Sequence, residues 1–164
     1  ASPAAQASPA DAYKDDVHAK AGLTCESCHG ARRPDGAYAP LTRTAIAPLC
    51  ARCHADAAYM RKFAPQVRVD QYAQYQTSVH GKRLAAGDTN VANCIDCHSV
   101  HDIRAVRDPL SPVYPEKLPQ TCARCHADAA RMEKYKISSD QFDQYRQSVH
   151  WEALSRRKDL SAPS

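Results

Sequence analysis

The chain has 164 residues, with 22 Lys and Arg against 18 Asp and Glu, for a formal net charge of +4. The charges are mixed, with no basic block or stripe, which argues against a nucleic-acid partner, and no run approaches the roughly 18 apolar residues of a membrane span. Leu, Ile, Val and Phe number only 23, while Ala supplies 29, so side chains alone fall short of an ordinary globular core.

In chain order, residues 1–16 come first. ASPAAQASPADAY is small, polar and Pro-containing. It reads as a flexible tail of the kind that follows a removed export signal; if ordered, it must lie against something. CESCH follows at Cys25–His29, then CARCHADAA at 50–58, CIDCH at Cys94–His98, and CARCHADAA again, to the letter, at 122–130. All eight cysteines therefore fall in CxxC pairs: Cys25/Cys28, Cys50/Cys53, Cys94/Cys97 and Cys122/Cys125. A histidine follows each pair: His29, His54, His98 and His126.

Three chemistries use paired cysteines. A disulfide framework gives no reason for the four histidines. Two Cys₄ zinc sites leave them idle as well. Covalent haem c uses every residue: two thiols add to the porphyrin vinyls, and the next residue, histidine, becomes the proximal iron ligand. Four motifs out of four predict four haem c groups. The porphyrins then replace the missing aliphatic core, and their propionates shift the charge from +4 to roughly −4. Attachment of this kind follows export, so the chain is expected outside the cytoplasm.

Four histidines remain, His18, His80, His101 and His150, against four irons that each need a sixth ligand. All four are predicted distal ligands. His101 lies three residues after His98, on the same face if one helical turn holds both, so it must serve another haem. Met60 and Met132, at matching positions, are expected to pack rather than ligate. Six-coordinate irons have no open position for substrate. The expected activity is outer-sphere, low-potential electron transfer without catalysis.

The chain also repeats. DQYAQYQTSVH (70–80) matches DQFDQYRQSVH (140–150) at seven of eleven positions. The predicted fold is mostly α-helical with much irregular loop, cored by haem and built from a duplicated two-haem unit. Its parts are a tail (1–16), two repeats (17–80 and 79–150) sharing a seam, and a second tail (151–164). Tyr72, Tyr75 and Val79, like Phe142, Tyr145 and Val149, recur at helical spacing and predict a helix reaching each SVH. Asp70, and Ser139 with Asp140, are the expected caps. CARCHADAARMEKY reads as a helix opening at the attachment site. The copies differ at Arg32, which stands where the second copy has His101. A symmetric arrangement gives His80 and His150 to the haems on Cys50/Cys53 and Cys122/Cys125, leaving His18 and His101 for the others.

These motifs, with CHSVHDI and the Tyr-x-x-Ser-Val-His segments ending at His80 and His150, resemble the multihaem c-type cytochromes of anaerobic respiration. The resemblance covers most of the chain from Val17 to Leu154, and is strongest to small extracellular tetrahaem cytochromes, some of which form filaments. It implies redox partner proteins or extracellular electron acceptors, and a homopolymer in which His18 or His101 ligates across a subunit boundary. Trp151 departs from the glycine common after that histidine. A soluble periplasmic shuttle and a small reductase with one open haem are the alternatives.

Overall fold

The computed structural model describes residues 8–164. Every regular element among them is a helix, and no strand occurs. The chain divides into two compact units, one running to Ile103 and the other from Arg104 to Ser164. The boundary therefore falls beyond the third CxxCH motif.

The first unit holds eight helices: α1 (Pro9–Tyr13), α2 (Val17–Lys20), α3 (Cys25–His29), α4 (Arg43–His54), α5 (Ala57–Met60), α6 (Gln71–Thr77), α7 (Val79–Ala85) and α8 (Cys94–His98). The second holds α9 (Leu118–His126), α10 (Ala129–Glu133), α11 (Gln141–Arg146) and α12 (Val149–Ser155). None exceeds the 12 residues of α4. Helices this short are marginal alone in water and depend on packing. In the first unit α4 packs on α5, α6 and α8; in the second α9 packs on α10 and α11. The elements also recur in order, with α3 to α7 answered by α8 to α12.

Aliphatic packing is thin, as the composition predicts. Ile46, Ala47, Met60, Leu84 and Val91 are the buried apolar residues of the first unit, and Met132, Ala153 and Leu154 those of the second. Met60 and Met132 are thus core residues at matching positions.

The stretch read as a flexible tail is ordered from Ser8 onward; residues 1–7 lie outside the described part. Ser8 Oγ accepts from Asp11 N and caps α1. Tyr13 Oη donates to Leu23 O at 2.9 Å, and Asp16 is buried.

The segment leading to each SVH is two helices, not one. Ser78 and Ser148 adopt extended backbone, and their hydroxyls accept from Gly81 N and Trp151 N at 3.0 and 3.2 Å. Each serine is an N-cap, so a new helix starts at the valine. Val79 and Val149 consequently leave the apolar stripe and stand 67% and 70% exposed. Asp70 and Asp140 occupy N-cap positions without capping, because their carboxylates accept from Gln74 and Gln144 side chains instead.

The glycine-to-tryptophan difference has a local cause. A Cβ on Gly81 would lie 2.0 Å from Tyr75 O. In the second copy α11 stops at Arg146, one residue earlier in register, and Trp151 packs edge-on to Phe142 and Tyr145.

The repeat also runs past His150. Tyr75 Oη donates to Ala92 O at 2.9 Å, and Tyr145 Oη to Pro163 O at 2.8 Å. Asp88 Oδ1 accepts from Asn90 N, and Asp159 Oδ1 from Ser161 N, in matching turns. Residues 151–164 therefore do for the second copy what 81–93 do for the first.

Candidate haem-attachment sites

All four CxxCH motifs are helical, but they sit in two different places. Cys25–His29 and Cys94–His98 are whole short helices, α3 and α8. Cys25, Cys28 and His29 thus share α3, and Cys94, Cys97 and His98 share α8. Thr24 N donates to Ser27 Oγ at 3.1 Å at the start of α3. Asn93 Oδ1 accepts from Ile95 N, and Asp96 Oδ2 accepts from Asn93 N, at the start of α8. Both helices end on a residue with positive φ: Gly30 at 70° and Ser99 at 72°. Glycine adopts this conformation freely, whereas serine is strained in it.

The CARCH copies instead close longer helices. Cys50, Cys53 and His54 are the last turn of α4, and Cys122, Cys125 and His126 that of α9. The next helix is separate, because Asp56 accepts from Tyr59 N and Asp128 from Arg131 N. The helix thus leads into the attachment site rather than opening there. In either setting the two sulfurs lie one turn apart on one face, and the histidine falls four residues after the first cysteine on that face.

The donor set suits covalent haem. None of the eight cysteines is in a disulfide. Among the described residues no three His, Cys, Asp or Glu side chains converge on one point, as a bare zinc ion would require. Burial pushes the His54 and His98 imidazoles down, the nearby His18 and His98 adding to the effect at His54, a direction that favours the neutral form in which an imidazole ligates. His29 Nδ1 is buried without a hydrogen-bond partner.

Two histidine pairs stand out, each joining a motif histidine to one outside the motifs. His18 and His54 have ring centroids 6.0 Å apart with planes at 89°. His29 and His101 also stand 6.0 Å apart, with planes at 27°. A metal-bound imidazole nitrogen sits about 2 Å from its ion, with the ring centre about 1 Å behind, so two rings facing one ion stand about 6 Å apart. The symmetric expectation set His80 against the Cys50/Cys53 motif; His18 lies there instead. His101 lies against His29, the histidine of another motif, but it does not share a helical turn with His98 as the spacing suggested: α8 ends at His98, and positive φ at Ser99 (72°) and His101 (64°) turns the chain. His80 and His150 hold matching places in the first turns of α7 and α12.

The first three motifs are neighbours within their unit. Burial pushes the Cys28 thiol up, and Cys50 and Cys53 push it further. A hydrogen bond between Cys50 and Cys94 raises the first thiol and lowers the second. Cys97, the other predicted haem cysteine of α8, is half-buried. It works against the lowering of Cys94, one turn away. Burial pushes the Tyr75 hydroxyl up, and Cys94, Asp96 and Cys97 push it further. Both α8 thiols therefore lie near the tyrosine of α6. Arg43 Nη2 in α4 donates to Asp96 Oδ2 at 2.5 Å and to Val91 O at 2.9 Å, tying α4 to α8. Beside His29, Tyr38 lies at 5.1 Å between ring centroids, and the Arg32 guanidinium sits 4.7 Å over the Tyr38 ring.

Sequence reasoning missed two of these residues. Asp16 contacts His18 through Oδ1; its signal was an Asp two positions before a histidine. Tyr38 carried no signal.

Helices built around repeated CxxCH motifs, with unbridged thiols and paired imidazoles, define a multihaem c-type cytochrome. The cytochrome c3 family model matches residues 17–127, a span containing all four motifs, and the chain belongs to that family. No curated protein and no solved structure matches. Proteins of this family bind haem c, carry electrons and are typically exported. No helix among the described residues is long and apolar enough to cross a membrane.

Proposed function

We propose that the chain binds four haem c groups and conducts electrons at low potential outside the cytoplasm. One haem is held by each cysteine pair: Cys25 with Cys28, Cys50 with Cys53, Cys94 with Cys97, and Cys122 with Cys125. The proximal ligands are His29, His54, His98 and His126; the distal ligands are His18, His80, His101 and His150. The observation that carries this reading is the 6.0 Å spacing of His18 from His54 and of His101 from His29.

Haem c supplies a one-electron ferric–ferrous couple. The residues set its character. Two imidazoles per iron hold the potential below that of His/Met haems and leave no open position for substrate. His18 goes to the iron at His54, and His101 to the iron at His29. His80 and His150 remain for the irons at His98 and His126. The segment from His98 to His101 would then hold two irons, with only Ser99 and Val100 between the two ligands. The recurrence of α3 to α7 as α8 to α12 supports a duplicated two-haem unit.

The finer form of this reading is extracellular conduction by a polymer with a continuous haem chain. The small buried apolar set and the exposed Val79 and Val149 at matching positions support it. Since His18 and His101 are both assigned within their own chain, the polymer does not draw on them. Electron microscopy of the secreted holoprotein tests this form: filaments support it, and discrete particles of one chain contradict it.

The core reading is tested by intact mass and redox titration together. The expected result is a mass increase of four covalent haems, all with low potentials and unreactive towards carbon monoxide. Fewer haems, or a carbon monoxide-binding ferrous haem, would contradict it.

A further inference from the structure

His18 is gripped from behind by a carboxylate that also holds a distant loop. Asp16 is 1% exposed. Its Oδ1 accepts from His18 N and lies against His18 Nδ1, both at 2.8 Å. Its Oδ2 accepts from Ile103 N, 87 residues away, at 2.7 Å. Val17 N donates to Ile103 O at 2.8 Å and closes the bridge. Ile103 lies two residues after His101. Helix capping accounts for the bond to His18 N, but neither for the ring contact nor for the arm to Ile103.

We propose that Asp16 is a positioning residue for two axial histidines at once: it fixes His18 with Nδ1–H donated to the carboxylate and Nε2 turned to the iron at His54, and it anchors the loop that brings His101 to the iron at His29. This rests on reading those histidines as axial pairs. A carboxylate behind an axial imidazole fixes its tautomer and raises its basicity. It would also set a buried carboxylate directly behind the imidazole that holds the iron. Both effects favour the ferric state, so Asp16 holds the potential of the haem on Cys50/Cys53 down.

The test uses holoprotein carrying Asp16→Asn, Asp16→Glu or His18→Met, with redox titration and electron paramagnetic resonance as readouts. Asparagine keeps the size but offers one acceptor oxygen, so it satisfies one arm and sets an NH₂ against the other N–H. The expected result is an upward shift of one haem potential, larger than at the other three, with an altered low-spin signal for that haem. Glutamate recovers part of the shift. His18→Met converts one bis-imidazole signal to a His/Met signature. Unchanged potentials and signals in Asp16→Asn would overturn the proposal while leaving the axial pairs standing. An unchanged spectrum in His18→Met would overturn the axial pair and the proposal with it. If Asp16→Asn does not assemble, NMR of the unaltered ferric holoprotein decides. One axial Nδ1–H exchanging with deuterium at least tenfold slower than an exposed imidazole's supports the proposal; fast exchange at His18 overturns it.

Discussion

His101 stands against His29 with ring centroids 6.0 Å apart, although the third CxxCH motif lies between them and His101 is its near neighbour. A histidine beside one motif therefore lies against the histidine of another. This relationship follows from α8 ending at His98 and from two successive departures into positive φ, at Ser99 and His101. It accounts for the asymmetry between the copies. Arg32, the counterpart of His101, takes part in a stack with Tyr38 beside His29 instead.

Replacing His101 by alanine should therefore damage the haem on Cys25/Cys28, not the one on Cys94/Cys97 beside it. One haem in four should become high-spin, with the low-spin signal reduced by about a quarter. Spin quantitation after assigning the lost signal checks this. Loss at the Cys94/Cys97 haem instead would contradict the pairing.

Gly81 should not tolerate a side chain. A Cβ there would meet Tyr75 O at 2.0 Å, and backbone cannot yield as a flexible side chain can. Gly81→Ala should cost about 2–3 kcal/mol, lowering the melting temperature by roughly 4–12 °C for a chain of this size. Differential scanning calorimetry measures it. Trp151, at the matching position, should be intolerant in the opposite sense: Trp151→Gly removes its packing on Phe142 and Tyr145.

Arg43→Met should loosen α4 from α8. The guanidinium makes bonds to Asp96 and to Val91 O, and a charge-assisted bond contributes about 1.5–3 kcal/mol. With Arg43 and Asp96 each about one-third exposed, solvent screening puts the expected loss nearer 1–2 kcal/mol. Denaturant titration read at the haem absorbance should show it.

The surroundings of His29 should respond to acid. The Tyr38 hydroxyl bond holds the Glu26 carboxyl down to about 2, from an ordinary 4.5. A depressed carboxylate stabilises the fold above its unfolded value, and the contribution fades as pH falls through the folded one. The contact should therefore be intact above pH 4.5 and weaken towards about 2. Tyr38→Phe should shrink this step and leave the smaller part due to the backbone, Thr24 and Arg32, read by near-ultraviolet circular dichroism between those limits.

That the chain binds haem c was legible in the sequence, because CxxCH is a local pattern in which two thiols and a histidine each have a role. The mostly helical, loop-rich character of the described residues was legible too, from the helical spacing of their apolar positions. The partners of His18 and His101 were not. His18 meets His54 and His101 meets His29 through tertiary packing, which no spacing along the chain encodes. The split at Ser78 was present as a serine N-cap, but Tyr72, Tyr75 and Val79 keep helical period across it, and periodicity alone does not register a cap. The same holds for CARCHADAA, where Asp56 and Asp128 start a second helix two residues after the motif ends. Asp16 escaped notice because its second partner, Ile103, is 87 residues away.

Electron paramagnetic resonance of the fully oxidised holoprotein tests the central claim most directly. Four low-spin bis-imidazole haems per chain are expected. The near-perpendicular rings of His18 and His54, at 89°, should give a highly anisotropic signal, and those of His29 and His101, at 27°, a rhombic one. A high-spin ferric signal, or a haem with methionine as its sixth ligand, would contradict the account.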